Sequence, residues 1–378
     1  MKTLNIIKSF YHSYKRYTKY FLPNLKEEAS SFLVPGKYKY RAFPVPMLVR
    51  IQSSEKAKNF IRKGRLNSSS IHGKKYMIKS IIKELINYSY FKKIKIQSNE
   101  PLIFNGEIVL FKTTNVSIKI LDFQRDEVLI YFLSKKHFNE TEKNISSLNN
   151  EINNAILSIS NDKNYFIEKL ITFDPIENLS TNQVRRVLKK YISDLSNYFK
   201  FTHVDDLRVV NTSDYIEYFM SIMTSLDGFD ILKKELNTFK LISNMPLVYF
   251  VNIKSDNSFN NFLIKGEDYY FIDFEGRSYQ SFLHLLITFQ RSLSVRYNWD
   301  RFLIDYKNGY FDNSINSVFE NLNLKFNKEL RDEYYFISLL NYYHFMENKN
   351  LTHEDLIKQD NSLAIKIFDN LKHYYNLK

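Results

Sequence analysis

No cysteine occurs among the 378 residues. Disulfides, thiolate zinc sites and a cysteine nucleophile are thereby excluded, and nothing in the sequence marks a redox compartment. Glycine and proline are scarce, at 8 and 7, which argues against a glycine-rich all-β or collagen-like chain. No stretch approaches the roughly 18 consecutive apolar residues that suggest a membrane span. The N-terminus has lysines but neither an apolar segment nor a small-residue cleavage site of an export signal, so a cytoplasmic location is expected. Residues 68–75, Ser-Ser-Ser-Ile-His-Gly-Lys-Lys, superficially suggest a phosphate loop. That motif needs Gly at its first position and Ser or Thr at its last, where Ser68 and Lys75 stand, and the match is rejected. No nucleophile elbow supports a serine hydrolase, and none of the eight histidines forms a close metal pair.

Hydrophobic residues make up 44% of the chain, with 28 Tyr and 32 Phe. That is ample for a sizeable core, and the length suits two domains or one large bilobal one. The surplus of Lys, Ile, Asn, Tyr and Phe is the usage of an AT-rich, bacterial genome, so single Asn and Tyr residues carry little information. The net charge of +13 is unevenly spread: residues 1–100 hold 22 basic against 5 acidic residues, or +17, leaving 32 against 36, or −4, for the remainder. Charge confined to one quarter, with no recognisable nucleic-acid motif, makes nucleic-acid binding the weakest class of function. Within that quarter, Leu4, Ile7, Phe10, Tyr11, Tyr14, Tyr17 and Phe21 recur at helical spacing with Lys8, Lys15, Arg16 and Lys19 between them. This amphipathic basic helix either packs its aromatic stripe on the protein or lies on an anionic membrane surface, where each basic residue contributes about 1 kcal/mol.

The chain is organised around residues 246–276, PLVYFVNIKSDNSFNNFLIKGEDYYFIDFEG. The apolar run Leu247 to Val251 leads to a polar loop with Asp256 and Asn261. Phe262 to Ile264 are again apolar, Lys265 to Glu267 form a turn, and Tyr269 to Ile272 deliver Asp273 and Glu275. Such runs, bounded by Gly and Asn, predict short strands or a hairpin. Carboxylate and amide oxygens gathered at strand ends suit a hard cation that leaves positions open for phosphate oxygens. An Asn-rich loop between strands is also an ordinary turn.

The stretch resembles the catalytic segment of the aminoglycoside phosphotransferase and choline kinase branch of the protein-kinase-like fold. That segment has His-Gly-Asp, an Asn five residues after the Asp, and Ile-Asp-Phe/Trp-Glu about a dozen residues later. Here Lys254, Ser255 and Asp256 stand at the first motif, Asn261 at the offset, and Ile272 to Glu275 at the second. Lys254 and Ser255 depart from the usual His and Gly, and residues 257–260 lack the usual Leu-His-Pro-Gly. The resemblance implies that Asp256 is the catalytic residue that accepts the acceptor hydroxyl's proton, that Asn261 and Asp273 hold Mg²⁺, and that Glu275 supports the site. ATP and Mg²⁺ are the implied cofactors.

The order of elements agrees with that fold. Residues 102–111, 116–123 and 127–132 predict strands, the last two joined by a turn at Gln124 to Asp126. A helix is expected to begin near Ser146, and a turn and strand to occupy residues 161–171. Helices are expected at 180–198, 213–224, 228–242, 278–294, 298–306, 313–320, 328–347 and 353–376. The resemblance assigns Lys135 and Glu151 to the nucleotide phosphates, with Lys119 competing for the lysine's role. It assigns the backbone around Glu168 and Leu170 to adenine. Gly106 stands alone, so no glycine-rich loop is visible.

The fold class expected is α+β: a bilobal kinase-like fold with a small β-rich N-lobe (101–171) and a larger helical C-lobe (172–378). A basic, mainly helical extension (1–100) precedes it, with 33–51 extended or looped around Pro35, Pro44 and Pro46. The expected function is ATP- and Mg²⁺-dependent phosphate transfer to a hydroxyl of a small molecule or saccharide, in the setting of bacterial surface-polysaccharide synthesis. Peripheral contact with the inner face of the membrane would run through residues 1–24. The alternative is a catalytically inactive kinase-like binding or adaptor protein.

Overall fold

The computed structural model describes residues 19, 21–27, 30–41, 47–62, 94–97, 101–112, 117–146, 155–174, 178–201, 207–223, 245–254, 262–272, 277–284, 286–287, 290, 294, 299–348 and 363–377. Their architecture is α+β, as the sequence predicts, in two compact units. One holds the described strands from Gly36 to Lys169; the other holds the described elements from Thr181 onward.

The first unit is built on an eight-stranded sheet of β1 (Gly36–Arg41), β2 (Met47–Arg50), β3 (Ile94–Ile96), β4 (Ile108–Lys112), β5 (Ser117–Asp122), β6 (Glu127–Phe132), β7 (Ile156–Ser160) and β8 (Tyr165–Lys169). The spatial order is β3-β1-β2-β4-β5-β6-β8-β7, with every named pair antiparallel. Side chains alternate between faces along a strand. In β1, Tyr38 and Tyr40 are therefore fully buried while Lys37, Lys39 and Arg41 are not. Their face joins Phe32, Leu33, Val109, Ile118, Ile120 and Leu129 in one core cluster.

Three of these strands, β1 to β3, fall within residues 1–100, where the sequence predicts a mainly helical extension, and β1 and β2 take the extended alternative expected for 33–51. Pro35 precedes β1, where a missing N–H costs no ladder bond, and Pro44 and Pro46 lie outside the described residues. Gly106 also has a structural role. A Cβ there would come within 2.1 Å of Ile120 Cγ2, and its N–H donates to the Phe32 carbonyl at 3.0 Å. The expected turn at Gln124 to Asp126 is present: the buried Asp122 carboxylate accepts from the N–H groups of Gln124 (2.8 Å) and Arg125 (3.0 Å).

A second correction concerns the helix after this meander. Helix α1 spans Lys135–Ser146, so it ends where the sequence suggested a start. Phe138, Thr141 and Ile145 form its buried stripe, and Phe138 meets Phe132 of β6 edge-on at 5.8 Å. β7 follows, a strand absent from the sequence reading because its outer residues are exposed: Leu157 is 54% accessible.

In the second unit, α2 (Thr181–Phe201) buries Val184, Val187, Leu188, Tyr191, Ile192, Leu195 and Tyr198, the stripe its spacing predicts. The other elements are β9 (Leu207–Asn211), α3 (Thr212–Met223), β10 (Leu247–Lys254), β11 (Phe262–Lys265), β12 (Asp268–Phe271), β13 (Arg277–Ser281), α4 (Arg301–Lys307), α5 (Asp312–Asn321), α6 (Arg331–Asn348) and α7 (Leu363–Asn376). The helix expected at 278–294 gives way to β13 at its start. The helix expected at 228–242 lies outside the described residues. Asp305 of α4 accepts both Arg185 Nε (2.6 Å) and Nη2 (2.7 Å) from α2. On α7, Tyr374 stacks on Tyr335 at 4.0 Å and donates to Asp332 Oδ1 at 2.8 Å.

Buried tyrosines give this unit an alkaline limit. Burial pushes Tyr334 up to about 12 and also raises Tyr191, Tyr306 and Tyr374. In the unfolded chain each phenol ionises near pH 10. Folded-state values above the unfolded value mean that stability is fully present below about pH 10 and falls as pH rises, by about 1.4 kcal/mol per pH unit for each tyrosine that stays neutral. Urea midpoints are expected to be level below that point and to drop above it, together with the appearance of tyrosinate absorbance. Tyrosinate appearing without any loss of stability would contradict this account.

Candidate active site

The frame of the candidate site is a hairpin clamped to α2. β11 and β12 pair Phe262 with Phe271, Leu263 with Tyr270, Ile264 with Tyr269 and Lys265 with Asp268. Gly266 makes the turn at φ +62°, a left-handed conformation that glycine adopts without steric cost. Gln183 Nε2 donates to the Gly266 carbonyl at 2.5 Å, Arg186 meets Glu267 at 2.9 Å, and Lys190 pairs with Asp268. Below the turn, Tyr191 of α2 lies edge-on to Phe262 (5.4 Å), Tyr269 (5.3 Å) and Phe271 (5.4 Å), and Phe262 stacks on Tyr269 at 4.9 Å. Tyr269 Oη donates to Asp194 Oδ2 at 2.6 Å. Burial raises the Asp194 carboxyl above the ordinary carboxylate range, while that hydrogen bond and Lys190 pull it back.

The other side of the frame is a three-stranded sheet in the order β13-β10-β9. β10 is its central strand, buried through Val248, Phe250 and Val251. Phe250 sits opposite both Arg208 and Ser281, and Lys254 is opposite Arg277. His284, read in the sequence as ordinary packing, is 2% exposed with Nδ1 3.3 Å from the Ser338 carbonyl oxygen.

The residues assigned by resemblance to catalysis and metal, Asp256, Asn261, Asp273 and Glu275, lie outside the described residues. Their flanks are described. The segment 255–261 leaves β10 at Lys254 and enters β11 at Phe262; the segment 273–276 follows β12, which ends at Phe271, and enters β13 at Arg277. Lys254 pairs with Arg277 and Phe262 pairs with Phe271. Both segments therefore connect the same two pairs of strand ends. Among the described residues there is no group of three or more His, Asp or Glu able to hold a metal ion.

The nucleotide-binding assignments fare differently. Lys135 is the exposed first residue of α1 and not part of a strand, and Glu151 lies outside the described residues. Lys119 is on β5, opposite Leu110 and Ile130. Ile130 and Phe132 share a face of β6, and Phe132 touches Phe138 of α1, so Lys119 leaves the sheet on the face that α1 covers. That placement follows from strand register, which the sequence alone leaves open. Glu168 is 3% exposed on β8, between Val128 of β6 and Ile156 of β7. The Lys169 N–H donates to the Ala155 carbonyl (2.7 Å) and the Leu170 N–H to the Asp126 carbonyl (2.8 Å), so these two donors are already used within the protein.

No protein-family model and no curated protein matches the chain. Solved structures similar to it include choline or ethanolamine kinases and aminoglycoside phosphotransferases. A choline/ethanolamine kinase family protein from Mesorhizobium loti is 9% identical, covers 71% of this chain and 87% of its own, and has a TM-score of 0.39. Aminoglycoside phosphotransferase APH(4)-Ia, solved with ADP and hygromycin B, is 11% identical over 71% and 94%, at 0.42. The choline kinase LicA from Streptococcus pneumoniae is 12% identical over 78% and 99%, at 0.35.

Proposed function

We propose that the chain is an ATP- and Mg²⁺-dependent phosphotransferase acting on a hydroxyl of a small molecule or saccharide. The observation that carries this reading is the double pairing of Lys254 with Arg277 and Phe262 with Phe271. It ties the two segments bearing Asp256 and Asn261, and Asp273 and Glu275, to the same strand ends. A carboxylate and an amide from separate segments are the oxygen donors a hard cation prefers, with room left for phosphate. Asn261 and Asp273 would hold Mg²⁺, which would supply charge neutralisation on the phosphate oxygens.

Asp256 holds the acceptor hydroxyl and takes its proton at a carboxylate oxygen. The acceptor oxygen bonds to the γ-phosphorus as the bond from that phosphorus to the leaving ADP oxygen breaks. Positioning and electrostatics provide most of the rate in such transfers. Kinases carry their phosphate lysine on the strand before the helix that bears its glutamate partner. Here that strand, β6, has no lysine, and Lys119 on neighbouring β5 replaces Lys135 as the better candidate. The helix that follows offers Glu140 and Glu142.

A thermal-shift titration tests the reading. ATP with Mg²⁺ at about a hundred times its dissociation constant stabilises a fold by about 2.7 kcal/mol. The wild type is expected to shift only with metal present, and Asp273→Ala not to shift at all. The second reading, a non-catalytic kinase-like binding protein, is favoured by the lysine-free β6 and the engaged Lys169 and Leu170 donors. A wild type indifferent to ATP would select it. We further propose a saccharide acceptor of bacterial surface-polysaccharide synthesis, met at the inner face of the membrane through the basic residues of 1–24. No helix among the described residues is long and apolar enough to cross a membrane. Cell fractionation of the full chain and of a variant lacking residues 1–24 checks this part; recovery of both in the soluble fraction would end it.

A further inference from the structure

Helix α2 ties down four consecutive residues of the β11–β12 hairpin. Gln183, Arg186, Lys190 and Asp194 stand three, four and four residues apart, a spacing that keeps them in line along one face of a helix. Their partners follow in chain order: the Gly266 carbonyl, Glu267, Asp268 and the Tyr269 hydroxyl. The first three ties are exposed to solvent, and exposed ion pairs hold geometry weakly. The fourth is different. Asp194 Oδ2 and Tyr269 Oη are 2.6 Å apart, Tyr269 is fully buried and Asp194 is half-buried. Among the described residues, burial opposes the charge of Asp194, the Tyr269 hydrogen bond and Lys190 favour it, and Asp268 opposes it.

The same helix reaches the far side of segment 273–276. Phe199 stands five residues, or about 7.5 Å, further along α2, and its ring packs on Phe282 at 5.5 Å, one residue past the end of β13. The chain from Tyr269 to Phe282, which carries Asp273 and Glu275, is thus fastened to α2 at both ends. At Phe199 the contact is apolar and without direction; at Asp194 it is a hydrogen bond, which fixes distance and angle. We infer that Asp194 is a positioning residue: through Tyr269 it sets where the hairpin sits along α2, and with it the place of the segment that bears Asp273. Its consequence for Mg²⁺ rests on the phosphate transfer proposed above; the anchoring of the hairpin does not.

Two variants of the full chain test this. Asp194→Leu/Tyr269→Phe removes the hydrogen bond and replaces both partners by apolar groups of similar size, a change that is nearly neutral for stability. Asp194→Asn keeps an acceptor oxygen for the Tyr269 hydroxyl. Three quantities are compared with the wild type: the urea midpoint, amide hydrogen exchange in β11 and β12, and the Mg²⁺ concentration that gives half of the ATP-induced rise in melting temperature. The double variant is expected to keep the urea midpoint, to exchange the hairpin amides about tenfold faster and to need about tenfold more Mg²⁺. Asp194→Asn should stay close to the wild type in all three, a rescue that a merely space-filling residue would not show. If the double variant does not fold, Tyr269→Phe alone, which keeps the stacked ring, makes the same comparison. Hairpin exchange equal to the wild type, an unchanged Mg²⁺ requirement, or an Asp194→Asn variant as impaired as the double variant overturns the inference. A wild type indifferent to ATP and Mg²⁺, with hairpin exchange still faster in the double variant, overturns the phosphotransferase reading and upholds the anchor.

Discussion

Asp256→Asn is expected to abolish phosphate transfer while leaving Mg²⁺-dependent ATP binding intact. The amide preserves the size and much of the hydrogen-bonding capacity of the carboxylate, but it cannot take a proton. A positioned general base contributes about 10²- to 10⁴-fold, so ATP consumption should fall by that order when hydroxyl acceptors are supplied. The melting-temperature rise with ATP and Mg²⁺ should match the wild type. Asp273→Ala is the contrasting variant, in which the stabilisation itself disappears. Two results would reassign Asp256: loss of the ATP-dependent shift would make it a metal-holding residue, and undiminished transfer would leave it as a turn residue. Because the segment of Asp273 shares strand ends with the segment of Asp256 and Asn261, each variant must also be compared by urea unfolding. Without that comparison a distorted frame would pass for lost chemistry.

The parts of the molecule that are local in sequence were the legible ones. The seven apolar residues from Val184 to Tyr198 predict a helix and are all buried in α2. The turn at Gln124 to Asp126 is set by Asp122, two residues before it. What escaped the sequence depends on distant partners. β1 pairs with β3 across more than fifty residues, so nothing near Gly36 or Ile94 signals that both join the sheet. β13 reads as the start of a helix because its identity comes from pairing with β10. The same distinction separates the two lysines. Lys135 looked well placed by spacing alone, whereas Lys119 gains its position from a register with Ile130 and from a helix that packs on the same face. For residues 255–261 and 273–276 the sequence supplies the residue types and offsets, and the strand pairing shows that both segments join the same strand ends.

Tyr191 is where the scaffold meets that frame, and its two substitutions are expected to have opposite effects. Tyr191→Ala removes the ring that Phe262, Tyr269 and Phe271 all contact, and large aromatic truncations in a core cost about 3–5 kcal/mol. Tyr191→Phe keeps the ring and deletes a hydroxyl that is buried without a hydrogen-bond partner among the described residues. An unsatisfied buried group costs about 1–3 kcal/mol, so phenylalanine should be neutral or stabilising. It should also lessen the loss of stability above pH 10, since one raised phenol is gone. Urea unfolding of the three proteins at neutral and alkaline pH measures both effects. Phe262 and Phe271 end the hairpin next to the Asn261 and Asp273 segments. The alanine variant should therefore lose response to ATP and Mg²⁺ at temperatures where most of it is still folded, while the phenylalanine variant keeps it. A phenylalanine variant less stable than wild type would mean that the hydroxyl has a partner, and an alanine variant with full ATP response would mean that the hairpin does not depend on α2 for its position.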